Sequence, residues 1–92
     1  MTPEQAREIA TDAVIWLAGE PEVLAGFVAA SGVAPGAIAR QGSDPEFLAA
    51  VLDWLLGSDA SVLAFAAATG HRPEDPARAR ALLPGAPGPH WT

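Results

Sequence analysis

Asp44-Pro45-Glu46-Phe47-Leu48-Ala49-Ala50-Val51-Leu52-Asp53-Trp54-Leu55-Leu56, stopped by Gly57, is the stretch around which the rest of the chain has to be arranged. Asp44 can cap the first free N–H groups of a helix. Pro45 at the first helical position has no N–H to leave unpaired, and Glu46 suits the positive helix start. From Phe47 to Leu56 only Asp53 is charged, so apolar side chains leave the axis in nearly every direction. A helix of that kind needs neighbours on most sides. The other helices are therefore expected to cover it.

Outward on the C-terminal side, Ser58 and Asp59 can each cap a helix in which Val62, Phe65, Ala66 and Thr69 recur at helical spacing before Gly70 stops it. A last helix starts near Pro73 or Pro76. Its Ala79, Leu82 and Leu83 are expected to dock, with Arg78 and Arg80 in water. From Pro84 onward, Pro-Gly-Ala-Pro-Gly-Pro-His-Trp-Thr is too rich in glycine and proline to pack on its own, and residues 84–92 read as a flexible tail. Outward on the N-terminal side, Pro35 to about Arg40 is a short helical turn anchored by Ile38 and ended by Gly42. Before it, Glu20-Pro21-Glu22 opens a helix with a Leu24, Phe27, Val28 stripe that closes at Gly32, a usual left-handed cap position. Thr2 and Gln5 match a capping box around Pro3, and Ala6, Ile9, Ala10, Ala13, Trp16 and Leu17 line one face of the first helix up to Gly19. The reading is an all-α bundle of five or six short helices forming one domain over residues 1–83. Ile9, Trp16, Leu17, Leu24, Phe27, Ile38, Phe47, Val51, Trp54, Leu55, Val62 and Phe65 are its expected core.

Sliding the chain against itself by 38 residues brings Trp16 onto Trp54, Leu17 onto Leu55, Gly19 onto Gly57, Phe27 onto Phe65, Gly32 onto Gly70 and Pro35 onto Pro73. These matches do not depend on alanine. They predict two similar helix-turn-helix halves, about 8–35 and 46–73, with the central helix as the first helix of the second half. Gly19 and Gly57 should then have positive φ or a tight helix-ending geometry.

The sequence Trp-Leu-Ala-Gly, Phe-Val-Ala-Ala-Ser-Gly, Asp-Pro-Glu-Phe-Leu-Ala-Ala-Val-Leu-Asp-Trp-Leu-Leu and Leu-Ala-Phe-Ala-Ala-Ala-Thr-Gly, in that order, resembles a family of short bacterial proteins classed as domain of unknown function 3572. The likeness covers residues 6 to 83. It implies a small all-helical protein and brings with it no catalytic residue, cofactor or substrate.

Composition excludes several classes. With 92 residues the chain suffices for one modest core, and although half of it is hydrophobic, much of that is alanine, so the larger side chains must carry the burial. There is no cysteine, hence no disulfide or thiolate metal site. All five basic residues are arginines, scattered at 7, 40, 72, 78 and 80, and the net charge is −6. Nucleic-acid binding by counterion release needs clustered cations and is not expected. The start lacks the blocks of a signal peptide, and the longest uncharged run, Val23 to Ala39, is broken by Gly26, Gly32, Pro35 and Gly36. A cytoplasmic protein without membrane association is expected.

Chemistry is sparse as well. His71 and His90 read as solvated loop histidines without metal-ligand spacing. Asp12, Asp53, Glu20 and Glu22 are explained by helix faces and caps, as are Ser31, Ser43, Ser58 and Ser61. Trp16 and Trp54 read as core anchors. No catalytic, cofactor-binding or metal residue is assigned, and an enzyme is not expected. Two function classes remain: a helical protein-interaction module that binds another protein or itself, and a helix-turn-helix regulator. The second is disfavoured by charge, because Glu22 to Ser31 and Ala60 to Thr69 offer no Arg, Lys, Asn or Gln to base edges. The candidate partner-binding residues are Ile15 and Trp91. Ile15 stands where the second half has Asp53, on the face of Glu8, Thr11 and Asp12 opposite the core stripe. Trp91 is a large apolar ring that is costly to leave in water.

Overall fold

A computed structural model describes residues 1–83; the expected tail, 84–92 with Trp91 and His90, lies outside the described residues. Six helices follow one another: α1 (Pro3–Gly19), α2 (Pro21–Ser31), α3 (Pro35–Gln41), α4 (Pro45–Leu56), α5 (Asp59–Thr69) and α6 (Asp75–Ala81). No strand occurs among the described residues. The starts follow the expected chemistry. Thr2 and Gln5 form both bonds of the capping box, with Gln5 N–H donating to Thr2 Oγ1 at 3.1 Å and Thr2 N–H to Gln5 Oε1 at 2.8 Å. Asp44 accepts from Glu46 N–H at 3.0 Å, and Ser58, not Asp59, caps α5 by accepting from Ser61 N–H at 3.3 Å.

Helix α4 contributes Phe47, Leu48, Ala49, Val51, Leu52 and Leu55 to the core, and only Ala50 and Asp53 of its Phe47–Leu56 stretch are exposed. It packs on α1, α2, α5 and α6, while α1 packs on α2, α4, α5 and α6. The buried stripe of α1 is Ala6, Ile9, Ala10, Ala13, Val14 and Leu17. Alanines at 6, 10 and 13 let neighbouring backbones approach closely. Phe27 and Phe65 are the one buried residue of α2 and of α5, each inserted into the core by an otherwise half-exposed helix.

Four expected core residues, Trp16, Leu24, Trp54 and Val62, are only partly buried and pack on the outside of the core. The reason lies in α2 and α5, whose short side chains around Phe27 and Phe65 do not overhang far enough to close over two indoles. The rings cross between the halves. Trp16 meets Phe65 edge-on at 5.6 Å between centroids, and Trp54 meets Phe27 at 5.7 Å.

The glycine expectation is corrected. Positive φ occurs at Gly32 (75°) and Gly70 (82°), not at Gly19 or Gly57. Gly57 is right-handed at φ −73°, and the α1–α2 turn is made by Glu20 in an extended conformation with its N–H on Leu17 O at 3.3 Å. A following helix start needs the chain to leave in an extended conformation, which any residue adopts. Beyond Gly32 and Gly70 the same side-chain bonds recur 38 residues apart. Ser31 Oγ–H donates to Phe27 O and Thr69 Oγ1–H to Phe65 O, both at 2.7 Å, and each hydroxyl then accepts from the N–H two residues on, Val33 at 3.1 Å and His71 at 3.4 Å. The bends between α1 and α2 and between α4 and α5 are 108° and 114°.

Helix α6 breaks this likeness. Its inward face is Pro76, Ala79, Arg80 and, just past its end, Leu83, the positions i, i+3, i+4 and i+7. Arg78 is exposed as expected, but Arg80 is buried and Leu82 is 41% exposed, both against expectation. Register decides this. Leu82 falls off the 76/79/80/83 stripe, and Arg80 falls on it because Asp53 of α4 receives its guanidinium, Nε to Oδ1 at 2.6 Å.

Candidate interaction site

Ile15 lies on α1 three residues after Asp12 and four after Thr11, which sets it on the outer face while Ala13, Val14 and Leu17 point inward. It is 65% exposed, the most open of the large apolar side chains among the described residues. It is not isolated. Asp12, Ile15 and Trp16 of α1 line a shallow concavity whose other wall is Ala68 and Thr69 of α5. The floor is the half-buried Trp16, held in place by the Phe65 ring beneath it.

The rim is polar on one side only. Asp12 Oδ2 is 2.8 Å from His71 Nε2, and the imidazole stacks on Phe65 at 5.7 Å and 23° while its Nδ1 lies 4.0 Å from Asp75. His71 is therefore a half-buried tether between α1 and the α5–α6 junction, which corrects the expectation of a solvated loop histidine. Beyond Asp12 the surface turns hydrophilic, with Thr2, Glu4, Gln5, Arg7, Glu8, Thr11 and His71 bordering a second groove. The hydroxyl of Thr2 there is committed to capping α1. Both side-chain pairs that organise this region, Asp12 with His71 and Asp53 with Arg80, join residues 59 and 27 apart, and sequence reasoning missed them because no local pattern links positions so distant.

The corresponding place in the second half is built differently. Asp53 replaces Ile15 and is met by Arg80. The residue 38 before Arg80 is Gly42, which has no side chain to extend toward α1. So the α4 position is closed by an ion pair, whereas the α1 position presents a bare apolar side chain above an indole. Chemically, such a notch can hold one apolar or aromatic side chain and offer it a carboxylate acceptor at its edge. Trp91, the other candidate, lies outside the described residues.

The model of the family described as Protein of unknown function (DUF3572) matches residues 3–86 of the chain. The chain belongs to that family. No curated protein and no solved structure matches it. The DUF3572 match runs through all six helices and so includes Ile15, Trp16, His71 and both ion-paired positions. No single helix among the described residues is long and apolar enough to cross a membrane.

Proposed function

We propose that this DUF3572 protein is a non-catalytic helical interaction module of the cytoplasm that docks a partner protein in the notch formed by Ile15, Trp16 and Ala68. The observation that carries the reading is the 65% exposure of Ile15 beside a half-buried tryptophan in a concave surface. Burying an isoleucine and the open part of an indole on a partner is favourable by roughly 25 cal/mol per Å² of apolar area, and an aromatic floor is the usual centre of a protein interface. In this reading the two halves derive from one helix-turn-helix unit, and the change from an acidic residue to Ile15 in the first half turned an internal position into a docking surface.

The helix-turn-helix regulator has in its favour the 108° and 114° bends, within the range of that motif. Against it stand the net charge of −6 and the lack of Arg, Lys, Asn or Gln between residues 23 and 31 and between 60 and 69. The test is Ile15→Lys, followed by thermal melting, light scattering and affinity capture from the native cell. The expected outcome is an unchanged melting temperature with loss of one specific association, either with another protein or between copies. An unfolded variant, or unchanged associations, removes Ile15 from the site.

A further inference from the structure

We infer that the notch at Ile15 is also the seat of this chain's own Trp91, which occupies it in cis and must leave before a partner docks; the inference rests on reading the notch as a docking site. Three observations converge on that occupant. First, the notch fits one ring: Ile15 and Ala68 flank it, Trp16 forms the floor, and the polar rim is contributed by the Asp12 carboxylate. An indole has an apolar body and a single N–H donor, which needs an acceptor when it is buried. His71 engages Oδ2 of Asp12, whose side chain remains 45% exposed, so the carboxylate retains acceptor capacity for a second donor. An aliphatic side chain would leave that acceptor unused. Second, Trp91 is the only large apolar residue after Leu83, so the stretch offers one anchor to a site that takes one. Its neighbours, Pro84 to Pro89, are Pro, Gly and Ala, and the one titratable side chain among them, His90, brings no negative charge toward Asp12 and Glu8. Third, the span suffices. Eight residues from Leu83 to Trp91 reach about 25–28 Å when extended, most of the 32 Å longest dimension of the fold. A connection of that length gives an effective concentration of about a millimolar, so even a weak contact is populated.

The test uses the full chain with isotope labelling, the three indole Nε1–H signals being assigned with Trp91→Ala. Expected are nuclear Overhauser contacts from the Trp91 ring to the Ile15 methyls that persist on tenfold dilution. Ile15→Lys should return the Trp91 indole to the position of a free peptide without changing the melting temperature. In Trp91→Ala protein, a synthetic peptide of residues 84–92 should shift the Ile15 methyls with a Kd below about a millimolar. The inference is overturned if the Trp91 indole already sits at the free-peptide position, or if its contacts to Ile15 appear only between differently labelled copies. Should Ile15→Lys nevertheless abolish an association, the docking reading survives without the cis occupant; should it alter neither association nor Trp91, both fall.

Discussion

Arg80 is the one buried charged residue among the described ones, at 4% exposure, and its position explains why a charge inside α4 is tolerated. Asp53 keeps close to half of its side chain in water, so the pair lies at the edge of the core and not inside it. Removing the carboxylate leaves a buried guanidinium without its shortest contact. Asp53→Ala is expected to cost about 1–3 kcal/mol, and the same change in an Arg80→Met background should cost less; urea denaturation of the four proteins checks both. At the glycines the expectations diverge by backbone geometry. Gly32→Ala and Gly70→Ala should each lose about 1–2 kcal/mol, since their φ of 75° and 82° strains any side chain. Gly19→Ala should be neutral or stabilising by up to about 1 kcal/mol, because Gly19 ends α1 with open space around its Cα. Thermal melts of the three variants separate these outcomes. A sequence marks all three as helix stops. Which stop is left-handed depends on whether another helix begins at once, as after Gly19, or a loop follows, as after Gly32 and Gly70.

Among the elements, those with end signals were readable in advance: each of α1, α2, α3 and α4 begins with the proline that opens it. Helix α6 was the exception. Its inward face contains an arginine, and only the partner on α4 makes that arginine an inward residue, so no periodicity within α6 reveals the stripe. The docking surface was half legible. Helical register placed Ile15 outside, but the wall supplied by Ala68 and Thr69 comes from a helix 50 residues away, and only tertiary packing brings it there. The α5–α6 junction is anchored to α1 through His71, whose ring lies on Phe65 and whose Nε2 meets Asp12. His71→Ala should therefore loosen α6 before the rest of the fold. Amide exchange in residues 75–81 should accelerate about tenfold, equivalent to roughly 1.4 kcal/mol, while α4 amides keep their protection.

Over the whole molecule, the two ring pairs interlock the halves. Phe27→Ala and Phe65→Ala, which remove fully buried rings, should cost about 3–5 kcal/mol each, and Trp16→Ala and Trp54→Ala less, because those indoles keep part of their surface in water. Double-mutant cycles on Trp16 with Phe65 and on Trp54 with Phe27 should return similar couplings, about 0.5–1.5 kcal/mol, given their similar edge-on geometry. That interlocking has a consequence for the protein while it is being made. Trp16 leaves the ribosome 49 residues ahead of Phe65, and Phe27 precedes Trp54 by 27, so the first three helices emerge with their ring partners still unsynthesised. A nascent chain of this kind has no folded subunit to settle into early. It must stay uncommitted until α5 has cleared the exit tunnel, and then close in one cooperative step.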